Sequence, residues 1–278
     1  MRVIIQKPDL DTCLAALILG VSERDDIAVV IRQASETDLT DQEVYCIEAG
    51  GSGQVLLNNF DHHDPEHYYP PACRQAFVAR GMADAGLSRL VDYVCMVDDR
   101  LSDLPHIPFP SLSSIFSGMR FDESSVLRQF NQGIALLRYV REANIDPFDT
   151  MPDLAQWRTY RQVKEDNMAG VNNDFQKVIF FQSASGRKVG FSEFRHIGGI
   201  GGLYKEGCEA VIMHNNAFGD PSIRKFTISG NGIKVSHLLP FIEPLEAGWG
   251  GRETIIGSPY EGSKLSKEQI IELVRKYL

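Results

Sequence analysis

The sequence predicts an α/β protein: an N-terminal domain built on a parallel sheet, a helical connection, and a smaller C-terminal α/β domain. Three observations lead there. Short apolar, β-branched segments up to Phe60 are separated by a helix and short loops, which suits parallel pairing. From Cys73 to Met168 apolar residues recur at three- and four-residue spacing, the period of helices. Beyond residue 176 strand-like and helix-like segments alternate again.

Arg2 to Gln6 reads as a buried strand. The loop Lys7-Pro8-Asp9-Leu10-Asp11 follows, then a helix from Thr12 to Gly20, with Asp11 or Thr12 expected as its N-cap. Ile27–Ile31 and Glu43–Ile47 are expected strands, the latter ending at Glu48 before a glycine-rich turn. Val55–Phe60 is the expected fourth strand, running into Asp61-His62-His63. Helices are predicted over Ala72–Gly81, Leu87–Val97, Ser111–Gly118, Ser124–Ala143 and Leu154–Met168. The domain boundary falls between 147 and 176. In the second domain Lys177–Ser183 and Lys188–Phe194 form a hairpin around Ser185-Gly186. A helix at Ile200–Glu206, strands at Glu209–Met213 and Arg224–Ser229, and a helix at Val235–Leu245 follow, giving a two- or three-layer unit. The last helix opens at the capping box Ser266-Lys267-Glu268-Gln269.

Composition bounds the function. A chain of 278 residues with 43% hydrophobic and 23% charged residues has ample core for globular domains. Its net charge of −9 and pI near 5.3 disfavour a broad nucleic-acid-binding face, so long nucleic acid is an unfavoured partner. The five cysteines are widely spaced without C-x-x-C and read as reduced thiols of a cytoplasmic protein. The apolar run Cys13–Leu19 is too short to span a bilayer, so no membrane partner is expected.

Asp61-His62-His63 puts one carboxylate and two imidazoles at the C-terminal end of a strand, the edge where open α/β sheets bind ligands. Such a set can bind a divalent cation and still offer a donor to an anion. A solvated loop with Asp61 capping the next turn is the plain alternative. Asp9, Asp11 and Glu48 also fall at strand ends, and a parallel sheet brings such ends to one edge. Asp98 and Asp99 close a helix at its C-terminus, where carboxylates oppose the macrodipole unless a cation is near. Arg100 can also supply that charge. Two glycine clusters stand apart. Gly198-Gly199-Ile200-Gly201-Gly202 can form an anion-binding nest but lacks a dinucleotide fingerprint. In Gly248-Trp249-Gly250-Gly251-Arg252 the glycines allow close backbone approach to a phosphate that Arg252 can clamp; the alternative is an ordinary glycine turn.

Taken together, Pro8-Asp9-Leu10-Asp11, Glu48, Asp61-His62-His63, Asp98/Asp99 and the late Gly-Gly-Arg segment resemble the DHH phosphoesterase superfamily. It includes family II pyrophosphatases, exopolyphosphatases, RecJ-type exonucleases, short-oligonucleotide nucleases and cyclic-dinucleotide phosphodiesterases. The resemblance implies a DHH-type metal-binding catalytic domain at 1–150, a helical linker at 151–176 and a DHHA1-like substrate-binding domain at 177–278. It further implies one or two manganese ions, with magnesium as an alternative, and a substrate held between the domains. Asp9 and Asp11 would each bind one ion, Glu48 would bridge them, His62 would be a ligand, and Asp98 or Asp99 would complete the second ion. His63 and Arg252 would hold the phosphoryl oxygens, Asp61 would orient an imidazole, and Gly250, Gly251 and Arg224 would bind substrate.

The departures are specific. Ile5 stands where the superfamily has a histidine, with Gln6 or His67 as candidate replacements, and Glu48 stands where it has an aspartate. Arg252 replaces the histidine of a Gly-Gly-Gly-His segment, and Arg224 lies upstream of the expected strand position. The implied activity is metal-dependent hydrolysis of a phosphodiester or phosphoanhydride in a small nucleotide, short oligonucleotide or polyphosphate, and a homodimer is compatible with it. The alternative is a weakened homologue that binds a nucleotide or phosphate without turnover.

Overall fold

The structure, a computed structural model, describes residues 1–64, 66–99, 105–194, 196, 198–218 and 222–278. The chain forms two compact units, Met1–Lys164 and Glu165–Leu278.

In the first unit β1 (Arg2–Ile5) is followed by α1 (Leu10–Leu19), β2 (Asp26–Val29), α2 (Glu36–Thr40), β3 (Val44–Ile47) and β4 (Asn59–Phe60). The sheet order is β2-β1-β3-β4 and every pairing is parallel, so all four strands end on one edge. Helices α3 (Ala72–Ala79), α4 (Ala85–Asp98), α5 (Leu112–Asp122) and α6 (Val126–Glu142) follow, and α7 (Arg158–Phe175) continues into the second unit. α1 is apolar nearly all round; only Leu17 of its residues is not fully buried. It packs among α3, α4 and α6, where each buried Leu or Ile contributes about 1.5–3 kcal/mol.

Three local expectations need correction. α1 starts at Leu10, and its N-cap is Asp9, whose extended backbone lets Oδ1 accept the Thr12 N–H at 3.1 Å. Val55–Leu57 is a 3-10 turn, not strand. Asn58 closes it in the left-handed conformation at φ 59°, and the ladder is reduced to Asn59–Phe60. α2 was not anticipated because it has five polar-rich residues and no buried face; Ser35 caps it.

The second unit carries β5 (Ile179–Gln182), β6 (Lys188–Ser192), α8 (Gly199–Lys205), β7 (Ala210–Phe218), β8 (Ile223–Gly230), α9 (Leu239–Ile242), β9 (Gly250–Arg252), β10 (Ile255–Gly257) and α10 (Lys267–Tyr277). Its mixed sheet runs β5-β6-β7-β8-β10-β9, with only the β6–β7 pair parallel. Ala210 and Ile212 face a core shared with α9 and α10, while Val211 and Met213 face one shared with α8 and Phe175. That period-two alternation makes the unit three-layered. The expected hairpin at Ser185-Gly186 forms, as does the capping box at Ser266, whereas the helix expected at Val235–Leu245 shortens to a 3-10 turn and α9. The cluster from Gly198 to Gly202 does not read as an anion nest. A Cβ on Gly199 would meet the Phe194 ring at 2.3 Å and one on Gly202 the Phe175 ring at 2.4 Å, so these glycines serve close helix packing. All five cysteines are free thiols. Among the described residues, no helix is long and apolar enough to cross a membrane.

Candidate metal centre

Because β1, β3 and β4 are parallel neighbours, the residues that follow them meet at one edge. Glu48 follows β3 with φ 51°, a left-handed conformation uncommon for a residue with a Cβ. Its amide donates to Phe60 O at 2.8 Å, and its side chain is buried. Oε2 accepts from the Thr12 hydroxyl at 3.1 Å. Oε1 is 3.0 Å from His62 Nε2, an ion-pair contact when the imidazole is protonated, and among the described residues no other donor satisfies it. His62 Nε2 is also 3.2 Å from Asp98 Oδ2 at the last residue of α4.

Among the described residues two groups bring their ligand atoms within 4.8 Å of one another: Glu48, His62 and His63, and Asp11, His62 and Asp98. His62 belongs to both. Asp11 is buried in the first turn of α1, where its two oxygens accept the Ala72 and Cys73 N–H groups at 2.7 and 2.8 Å, anchoring the start of α3. Asp99 lies apart from these groups and accepts from the Tyr68 hydroxyl at 3.2 Å. Asp9 is also outside them. Its Oδ2 is 3.1 Å from Lys7 Nζ, and its Oδ1 takes the Thr12 N–H and lies 3.0 Å from the Thr12 hydroxyl. Asp61 accepts from Gly50 N, Ser52 Oγ and His63 N at 2.6–2.8 Å, tying the glycine-rich turn to the triplet. The His63 ring meets His62 edge-on at 4.6 Å and keeps 58% of its side chain exposed. Neither proposed replacement for the missing imidazole reaches the groups. Gln6 Nε2 donates to Arg32 O, and His67 is an exposed partner of Asp64.

The electrostatics follow from crowding. Burial, followed by the Glu48 charge, pushes the Asp11 carboxyl well above its usual range. Burial also raises Glu48 and Asp98. The Glu48 carboxylate, aided by Asp98 and Asp11, raises the His62 imidazole to about 9 against the opposing effect of burial. Asp61 and Asp9 are the exceptions: despite burial, the Ser52, His63 and Gly50 donors hold Asp61 low, and the Thr12 N–H and Lys7 ammonium hold Asp9 low. A buried carboxylate oxygen with no donor other than His62 among the described residues, set among carboxylates that repel one another, fits a divalent cation. The mixed carboxylate and imidazole donors suit manganese or magnesium.

A cavity of about 440 Å3 opens beside this edge, lined among others by Glu48, Asp61, His63, Ser52, Gly50 and Arg32. Sequence reasoning missed Arg32, Lys7 and Thr12. Arg32 has no motif around it, while Lys7-Pro8-Asp9 did place a cation beside a carboxylate.

The residues expected to bind substrate in the second unit have another setting. Gly250, Gly251 and Arg252 form edge strand β9, paired antiparallel with β10, rather than a loop free to fold around an anion. Gly251 has φ +151°, and a Cβ there would lie 2.2 Å from Ile255 O, so pairing geometry accounts for the glycine. Arg252 is exposed, and Arg224 Nη1 donates to Leu265 O at 2.9 Å.

Fold and site geometry together define a class: a two-unit α/β protein with a carboxylate and histidine cluster at the C-terminal edge of a parallel sheet, the fold expected of the DHH phosphoesterases. No protein-family model matches the sequence, and no curated protein matches it. Among solved structures, the chain is similar to the pGpG-specific phosphodiesterase PggH of Vibrio cholerae. The identity is 15%, covering 98% of this chain and 96% of that one, with a TM-score of 0.62. It is also similar to an exonuclease RecJ bound to manganese, at 14% identity over 99% of this chain and 89% of that one, with a TM-score of 0.53. At these identities the likeness is one of fold.

Proposed function

We propose that the protein is a metal-dependent phosphoesterase that hydrolyses a phosphodiester or phosphoanhydride in a small phosphorylated substrate. The observation that carries this reading is the buried Glu48 Oε1, with no donor other than His62 among the described residues, 3.0 Å from a His62 Nε2 that also lies 3.2 Å from Asp98. Glu48, His62, Asp98 and Asp11 would hold the ion, manganese or magnesium. When bound, the ion supplies charge neutralisation and Lewis-acid polarisation of a phosphoryl group. His63, exposed at the cavity, and Arg32 offer donors for phosphoryl oxygens. Asp61 fixes the backbone that carries both imidazoles. Arg252 is the second unit's candidate for a phosphate contact. Arg224 is a weaker one, because its guanidinium is committed to Leu265 O.

Fold likeness to a pGpG phosphodiesterase and to an exonuclease supports including dinucleotides and short oligonucleotides in the test panel. The purified protein with manganese is expected to release product from pGpG, a short oligonucleotide or a short polyphosphate, and His62→Ala to abolish it. No turnover across the panel, with the fold intact and metal bound, would defeat the proposal. It would favour the second reading, a nucleotide- or phosphate-binding module, which the fully buried Ile5 and the Lys7-paired Asp9 support.

A further inference from the structure

The Asp9 side of the centre differs from the His62 side. Asp9 differs from Asp11, whose two oxygens accept backbone amides, in facing a cation: its Oδ2 lies 3.1 Å from the Lys7 ammonium, while Oδ1 takes the Thr12 N–H. The Thr12 hydroxyl lies 3.0 Å from Asp9 Oδ1 and 3.1 Å from Glu48 Oε2, so its single proton is divided between the two carboxylates. The strand that leads into this loop ends in Ile5, which is fully buried in the apolar core and offers no ligand. On the other side, among the described residues Glu48 Oε1 has no donor other than His62, and the two groups able to hold an ion share His62 while excluding Asp9.

We infer that Lys7 is a built-in cation of this centre. Its ammonium takes the place at Asp9 that a second metal ion would need, so the chain uses a single divalent ion, on the His62 side. The inference rests on the metal-dependent reading above and specifies its stoichiometry. Asp9 is largely buried while the Lys7 side chain is 54% exposed, so a second ion at Asp9 competes with the ammonium for Oδ2 and must turn it out toward solvent. Thr12 acts with it as a positioning residue. By binding Asp9 and Glu48 at once, it keeps Asp9 turned toward Lys7 and leaves Glu48 Oε1 for the ion.

Manganese bound per chain, measured by equilibrium dialysis with elemental analysis, tests this together with the electron paramagnetic resonance spectrum of the loaded protein. The full-length wild type is expected to hold one ion with an isolated Mn2+ signal. In Lys7→Met, which keeps the length of the stem and removes the charge, the stoichiometry is expected to rise toward two with a spin-coupled signal. Lys7→Arg, which keeps the charge, is expected to stay at one. Two ions in the wild type would overturn this inference and leave the phosphoesterase reading standing. One ion in Lys7→Met would overturn the role given to Lys7. No ion at all, or an ion retained undiminished in His62→Ala, would overturn the metal-dependent reading and this inference with it.

Discussion

The edge around Asp61-His62-His63 and the hairpin around Gly250-Gly251-Arg252 both attract attention in the sequence, and the structure gives them opposite characters. At the first, carboxylates are buried against one another: Glu48 Oε1 has no donor but His62 among the described residues, and Glu48, Asp11 and Asp98 all resist ionisation. At the second, the features that stand out are explained locally at Gly251 and Arg252. Gly251 fits a backbone approach to Ile255, and Arg252 is free in solvent on an edge strand. A candidate site is marked less by rare residues than by a demand that local structure leaves unmet.

His62→Ala should separate the two regions most sharply, since this imidazole belongs to both ligand groups. Manganese affinity by titration calorimetry is expected to fall about a hundredfold or more, beyond the effect of losing an outer partner. An unchanged affinity would erase the distinction drawn here. Next comes pH. A metal ligand must be deprotonated, and metal-free His62 keeps its proton up to about 9. Apparent affinity should therefore rise about tenfold per pH unit from neutrality to that value and level off above it, with matching proton release. A flat profile would show that His62 is not a ligand.

Asp61→Ala removes the acceptor for Gly50, Ser52 and His63 together. A loss of about 2–3 kcal/mol in urea denaturation is expected, with weakened manganese binding. Gly251→Ala should cost about 1–3 kcal/mol through its backbone clash while leaving manganese affinity unchanged. Arg252→Ala should move stability by no more than about 0.5 kcal/mol, as exposed substitutions do. If either hairpin variant altered manganese binding, the contrast in character between the two regions would fail.

Much of the fold was legible. The apolar runs behind β1 and β3, the terminator Gly20 and the capping box at Ser266 are local signals, and they form as read. Strand-end carboxylates before and after Glu48 could be placed on one edge because a parallel sheet fixes that edge. What could not be read depends on distant partners. Asp11 or Thr12 reads as the cap of α1 in sequence, and only the fold shows that Asp9 takes that place while Ala72 and Cys73 claim Asp11. Asp98 and Asp99 are equivalent until the winding of α4 turns one toward His62 and the other toward Tyr68. Thr12 gains its role only when Glu48 arrives from another strand, and Val55–Leu57 looked extended because an apolar run carries no mark of the left-handed Asn58 that ends it.

Asp11 ties one side chain to two tasks, since the carboxylate that borders the ion site also receives the first amides of α3. An ion drawing on those oxygens competes with the Ala72 and Cys73 protons for the same electron density. Metal occupancy thus becomes a property of a helix that contributes no ligand, readable in how fast those amides exchange with deuterated solvent.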